Sequence, residues 1–205
     1  MIKIAFFDFS RTIAKGTGFG SGPIFLSRKK DYEELYDKYK SKKLNEIDFV
    51  KSVVRLWKSF NEKDLSKIYS KIELNPNVGI TLKKLKKQGI KLALVSNIPT
   101  KLAELYKNLD FDFISGNECE TREGIFTGEV LKINSDKSRI VNRICNNNKI
   151  SPKECIAIGD SIGDIGMFKA VGYNNSFAYN ANEEVKKYAK YHITNFNEII
   201  KIIQK

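Results

Sequence analysis

The chain is poor in the residues that most metal and protease sites use. It has a single histidine, His192, three cysteines and four prolines in 205 residues. One imidazole cannot build a multi-histidine metal site, and no H-E-x-x-H or Ser-His-Asp pattern surrounds it, so any chemistry must run on carboxylates, hydroxyls, lysines or a metal. The cysteines Cys119, Cys145 and Cys155 are odd in number and form no C-x-x-C. That argues against a zinc ribbon, suits a reducing compartment, and reads as buried thiols. Long apolar runs are also missing. The longest, Ile4–Phe7 and the stretch 90–95 broken by Lys91, fall well short of the roughly 20 residues of a membrane helix. Met1–Phe7 meets an acid at Asp8 before a secretory apolar region could form. No membrane association is expected, and the expected location is the cytoplasm.

What is present is ordinary globular composition, with 41% hydrophobic and 29% charged residues, in a length that allows one compact domain or one domain with a smaller insert. Net charge is +12, from 36 basic and 24 acidic residues, which raises nucleic-acid binding as a rival reading. The lysines are spread, however, through Arg28–Lys30, Lys38–Lys43, Lys83–Lys87 and Lys186–Lys187, interleaved with apolar residues at helical spacing. Solvated helix faces account for that pattern. No nucleic-acid module signature appears, so nucleic acid is not an expected partner, whereas a positive field favours a small phosphorylated substrate.

Four apolar runs read as buried parallel strands: 3–7, 91–96, 111–115 and 155–160. Helical patterns lie between them. One spans 78–88 and stops at Gly89; another is capped by Ser135 or Asp136 and runs through Ile140, Val141 and Ile144. Strand and helix alternation predicts a parallel α/β sheet. The stretch from about 13 to 76 breaks the alternation with amphipathic segments near 29–42, 46–60 and 62–73, an insert placed to cover the sheet's C-terminal edge. It opens with the glycine-rich Gly16–Pro23, which is either a phosphate cradle or a hinge; it matches neither the Walker pattern nor G-x-G-x-x-G. The segment 120–130 reads as a hairpin, and Tyr191–Thr194 as a short strand.

Three polar motifs close predicted strands, where ligands of open α/β sheets bind. Asp8-Phe9-Ser10-Arg11-Thr12 follows the first; by itself its acid is a turn former or a nucleophile. Val95-Ser96-Asn97 closes the next. Gly159-Asp160-Ser161-Ile162-Gly163-Asp164 is either a tight turn with a capping aspartate or a Mg²⁺ site, since hard cations select oxygen ligands. With Lys137, these residues resemble the haloacid dehalogenase superfamily, in its phosphoserine-phosphatase-like branch, over nearly the whole chain. The order D-x-D-x-T, hydroxyl, lysine, G-D-x-x-x-D stands here as Asp8–Thr12, Ser96, Lys137 and Gly159–Asp164.

The resemblance implies a Rossmann-like, doubly wound α/β core from residues 1–13 and 77–205, with a small helical cap from 14–76 inserted after the first strand. It implies that Asp8 attacks phosphorus and becomes an aspartyl phosphate. Mg²⁺ would be held by the Asp8 carboxylate, the Ser10 backbone carbonyl and Asp160, with Asp164 as a further partner. Ser96 and Lys137 would grip the phosphoryl oxygens, the Asn97 N–H would add a donor, and Thr12 would fix the loop. The implied substrate is a small phosphorylated metabolite and the implied assembly a monomer or homodimer.

Ser10 departs from the family, whose second aspartate protonates the leaving group and activates water. A hydroxyl does not titrate near neutral pH, so Ser10 implies a formed site with slowed turnover of alkyl phosphates, aryl or acyl phosphates suffering least. An impaired phosphate-binding or regulatory protein is the alternative. In phosphoserine phosphatases a glutamate after motif one and a cap arginine hold the amino acid. Thr17 and Leu56 stand at those positions here, with Arg55 one residue early and rotated by about 100° on a helix, which disfavours phosphoserine.

Overall fold

The computed structural model describes residues 1–18, 27–134 and 136–204. Most of the glycine-rich segment, and the Ser135 cap expectation, lie outside those residues. The described chain runs β1 (Ile4–Phe7), α1 (Lys29–Lys40), α2 (Glu46–Arg55), α3 (Glu62–Tyr69), α4 (Val78–Lys87), β2 (Lys91–Pro99) and α5 (Thr100–Ala103). It continues through β3 (Phe113–Arg122), β4 (Ile125–Lys132), α6 (Lys137–Asn147), β5 (Cys155–Gly159), α7 (Ile165–Val171), β6 (Ser176–Tyr179), α8 (Glu183–Lys186), β7 (Tyr191–Ile193) and α9 (Asn197–Ile203).

Period-two alternation in β1 explains the layering. Ile4 and Phe6 point into one core with Ile140, Val141 and Ile144 of α6 and Met167, Phe168 and Val171 of α7. Ala5 and Phe7 point into the other, with Leu82 and Leu85 of α4 and Phe196 and Ile199 near the C-terminus. A strand buried on both faces reads as a continuous apolar run, as the sequence predicted. The sheet order is β4-β3-β2-β1-β5-β6-β7, parallel throughout except for the β3–β4 hairpin. This is the expected doubly wound α/β core. Helices formed close to the expected spans, α6 capped by Asp136, whose carboxylate accepts from the Ser138 and Arg139 N–H groups.

The helical insert shares the second core. Val50, Val53, Val54 and Trp57 continue the apolar cluster that holds Phe7 and Phe9. Its entry and exit run side by side: the Asn75 N–H donates to the Ile13 carbonyl at 2.8 Å, and the Lys15 N–H to the Glu73 carbonyl at 2.9 Å. The Asn75 side chain donates to the carbonyls of Arg11, Thr12 and Ala14 as well. The hairpin grips the insert from the far side. Phe126 exchanges backbone hydrogen bonds with Ser59 and Phe60 and meets Trp57 edge-on, with centroids 5.8 Å apart.

His192 directs Nε2 at the carbonyls of Lys186 and Ala189, a structural role. The cysteines divide: Cys145 and Cys155 are buried with their sulfurs 3.6 Å apart, while Cys119 is only partly buried, which corrects the expectation of three buried thiols.

Phe126→Ala removes the ring that docks the hairpin on the insert, and a buried Phe→Ala change costs about 3–5 kcal/mol. Urea unfolding is expected to show a loss of that size at unchanged m-value. A loss under about 1 kcal/mol would mean that the ring does not hold these elements together.

Candidate active site

β1 lies between β2 and β5, with Phe7 opposite both Leu94 and Ile158. β1 and β5 therefore end at one level, and Asp8 and Asp160 emerge at the carboxyl edge beside Ser96 of β2, which runs on to Pro99. The Asp8 N–H donates to the Ile158 carbonyl at 3.0 Å, which carries the pairing one residue beyond the strand.

The last motif folds tightly over that edge. A Cβ on Gly159 would lie 2.5 Å from the Asp164 Cβ and Cγ, so glycine is what lets Asp164 pack there. Asp164 is fully buried. Its Oδ2 accepts from the Asp160 and Ser161 N–H groups and the Ser161 hydroxyl at 2.9–3.0 Å. Its Oδ1 accepts from Lys137 Nζ at 2.6 Å. The same ammonium donates to Asp8 Oδ1 at 2.5 Å, and both Lys137 and Asp8 are buried. Lys137 reaches them because it is the first residue of α6, which enters just beside the site.

Asp160 completes the group. One carboxylate oxygen from each of Asp8, Asp160 and Asp164 lies within 4.8 Å of the others. Asp160 Oδ2 sits 2.8 Å from Arg11 Nε, and its Oδ1 accepts from the Thr12 hydroxyl at 3.4 Å. Arg11 is a residue that sequence reasoning missed. It holds a left-handed φ of +59°, uncommon for a non-glycine residue, with its N–H bonded to the Gly16 carbonyl and its own carbonyl held by Asn75. The turn thus aims the guanidinium back at Asp160.

Three carboxylates face two cations here, and the balance shows in the titration of Asp8, Asp160 and Lys137. Burial, then the neighbouring Asp164, pushes Asp8 up to about 8 despite the Lys137 contact. Burial and Asp164 likewise push Asp160 up to about 6, against the pull of Arg11. Asp164 and Asp8 raise Lys137, overcoming its burial. One shared ammonium cannot offset two buried anions, so the site has room for one more positive charge. The donors are all hard oxygens, which fits a divalent cation such as Mg²⁺.

β2 changes register against β3 between Val95 and Pro99, and such a bulge re-aims side chains. The backbone there comes so close that a Cβ on Gly116 would lie 2.3 Å from the Ile98 carbonyl oxygen. Buried Asn117 pins the bulge, donating to the Asn97 carbonyl at 2.6 Å and accepting from the Asn134 N–H. Ser96 is buried, its hydroxyl accepting from the Ile98 N–H at 3.3 Å. The Asn97 side chain donates to Glu46 at 3.2 Å. Glu46 opens α2 and lines a cleft of about 540 Å³ with Tyr39, Asp48, Asp136, Lys137 and Gly163.

Of the residues singled out from sequence, Asp8, Thr12, Lys137, Asp160 and Asp164 form one connected cluster, with Ser96 and Asn97 on the adjoining strand end. Ser10 is half-buried in the turn after Asp8, where it bridges Ala14. Arg55 is not brought in: it is exposed at the end of α2, beside Gly128 of the hairpin, and does not line the cleft. Glu46 and Asn117 gave no signal in sequence, since an acid in a first helical turn and an asparagine in a strand have commoner explanations.

Residues 24–203 match the family model of haloacid dehalogenase-like hydrolases. The chain belongs to that family. Phosphoserine phosphatase from Idiomarina loihiensis is 30% identical over 165 residues, spanning 77% of this chain and 74% of that protein. The one from Archaeoglobus fulgidus is 34% identical over 140 residues, 66% of this chain but only 40% of the relative's length. A solved phospho-aspartyl intermediate analogue of phosphoserine phosphatase superposes with a TM-score of 0.87 at 24% identity, over 98% of both chains. These matches place the chain in the family's phosphoserine-phosphatase-like branch, and the phosphatase expectation stands with them. The matched family span begins after the turn that carries Asp8 and Ser10.

The raised carboxyl values set a pH dependence of stability. A folded-state pKa above the unfolded 3.8 means that the native state holds protons the unfolded chain releases. That stability is present at low pH and is lost as pH rises through about 6 for Asp160 and about 8 for Asp8. In chelator the melting temperature is expected to fall over that window. Magnesium is expected to restore several degrees above neutrality, at about 2–4 °C per kcal/mol of linkage. Identical melting at pH 8 with and without the ion would remove the cation site.

Proposed function

We propose that this chain is a Mg²⁺-dependent phosphatase or phosphotransferase of small phosphorylated metabolites, working through an Asp8 phosphoenzyme and slowed at proton transfer by Ser10. The observation that carries it is the buried Asp8–Lys137–Asp164 cluster beside Asp160 at the sheet's carboxyl edge. Asp8, Asp160 and the Ser10 carbonyl are the groups that would hold the ion, which supplies neutralisation of the anions that meet there. Asp164 orients this set; its oxygens are committed to Lys137 and the turn.

The Asp8 oxygen forms a bond to phosphorus as the bond from phosphorus to the ester oxygen breaks, and the departing oxygen takes a proton. Water then releases phosphate and regenerates the carboxylate. Lys137 and Ser96 meet the charge on the phosphoryl oxygens, with the Asn97 N–H as a further donor. Thr12 holds Asp160. Ser10 cannot give the departing alkoxide its proton, a contribution worth about 10² to 10⁴ in rate.

Residues 14–76 act in this reading as a cap on a core of 1–13 and 77–205, hinged at the paired linkers of Ile13–Lys15 and Glu73–Asn75. The proposal includes a monomer or homodimer in a reducing cytoplasm, which suits the adjacent, unbridged Cys145 and Cys155. No described helix is long and apolar enough to cross a membrane. Ser10 also favours a second reading, a phosphate-ligand sensor on the same fold.

An activated aryl phosphate is expected to turn over only with magnesium, and Asp8→Asn is expected to bring the rate to background. No magnesium-dependent rate, with Asp8→Asn indistinguishable from the parent, leaves the sensor reading. Ser10→Asp is expected to raise alkyl phosphate hydrolysis by about 10²-fold or more and aryl hydrolysis much less. An unchanged alkyl rate would locate the defect elsewhere.

A further inference from the structure

We propose that the cleft selects phosphomonoesters whose alcohol portion carries a positive charge and no carboxylate, with Glu46 and Asn97 receiving its N–H donors. This deepens the phosphatase reading and rests on it.

The protein carries a net +12, yet the charged groups lining this cleft are Glu46, Asp48 and Asp136, with Lys137 at the floor. Lys137 is occupied by Asp8 and Asp164. Asp48 accepts from the Asn45 side chain at 2.7 Å, and Asp136 caps α6 and pairs with Arg139 at 3.0 Å. Glu46 differs. It receives the Asn97 amide, a neutral donor, and has no ion pair among the described residues.

A second observation points the same way from the core side. Asn97 turns its N–H toward Glu46 and leaves its own Oδ1 buried without a hydrogen-bond partner. A buried acceptor without a donor costs free energy, which a ligand N–H relieves. The Glu46 carboxylate lines the cleft with Lys137, and the Asn97 amide bonded to it brings a second, unsatisfied acceptor next to that carboxylate. An ammonium has three donors and no acceptor, and it matches that pair. A carboxylate on the substrate would meet Glu46, Asp48 and Asp136 instead, and Arg55 does not reach the cleft to receive it.

Glu46 is rigidly placed. It follows Asn45, whose side chain accepts from the Asp48 N–H and fixes the start of α2. Burial raises its carboxyl above the ordinary value; the Asn97 hydrogen bond and Lys137 oppose the rise, while Asp164 and Asp136 add to it. Tyr39 is the other titratable group facing it. A bound ammonium would keep Glu46 ionised, so selectivity for cationic esters should fade as pH drops and Glu46 takes up a proton.

The test uses three esters of similar size, 2-aminoethyl phosphate, n-propyl phosphate and phosphoglycolate, with the full chain and magnesium. In kcat/KM the aminoethyl ester is expected to exceed the propyl ester by about tenfold or more, with phosphoglycolate last, the scale of a hydrogen bond to a charged group. Glu46→Gln is expected to bring the aminoethyl-to-propyl ratio near one, and Glu46→Asp to keep part of it, with both variants melting like the parent. A ratio near one in the parent overturns the inference, as does Glu46→Gln lowering all three rates alike, the mark of a general acid. If neither these esters nor the aryl phosphate turns over, the phosphatase reading fails instead. Calorimetric binding of the same three compounds then decides, and equal affinities in parent and Glu46→Gln overturn the cation preference.

Discussion

One ammonium shared between two buried carboxylates is the constraint around which this molecule is arranged. Lys137 touches Asp8 and Asp164 at 2.5–2.6 Å in a place that water barely reaches. A buried charge without partners would cost several kcal/mol, so each of the three needs the other two. That requirement couples the turn after β1, the start of α6 and the turn after β5, three segments far apart in the chain. It also leaves an anionic excess, which supports the reading of this cluster as a place for cations and phosphoryl groups rather than a structural ion pair.

Much of this was legible in the sequence because the relevant signals are local. Strands buried on both faces read as unbroken apolar runs, as in Ile4–Phe7, and motifs that end strands fall on one edge once the sheet is parallel. Asp8, Asp160 and Asp164 stand in such motifs, Lys137 enters through the family resemblance, and the four lie together. What was not legible depends on tertiary placement. Arg11 reaches Asp160 through a left-handed backbone that no residue type announces, and Asn75 supports it from the exit of the insert. Glu46 looks like an ordinary first-turn acid until α2 is set against the end of β2. β6 was passed over because Ser176–Tyr179 is short and its neighbours supply the sheet's regularity.

The hairpin and the insert show the same dependence. Phe126 and Trp57 are unremarkable apolar residues in sequence. Their edge-on contact and the backbone bonds of Ser59 and Phe60 to Phe126 tie the insert to the hairpin. The paired linkers tie it to the turn after β1. Glu46 is therefore positioned by contacts distant from it, and the chemistry of the cleft mouth follows from packing at its ends.

Ser10 and Arg11 are best understood together. An aspartate at position 10 would set four carboxylates against Lys137 and Arg11; serine leaves three, for a site charge of −1 rather than −2. A divalent ion takes the present site to +1, ready for a phosphoryl dianion, where the four-carboxylate site would only reach neutrality. Under the phosphatase reading proposed above, a serine in the proton shuttle's place strengthens the attraction for phosphate, since Coulomb terms grow in a site of low effective dielectric. Holding the phosphoryl group and passing a proton are separable tasks, and in that reading the residues at 10 and 11 favour the first.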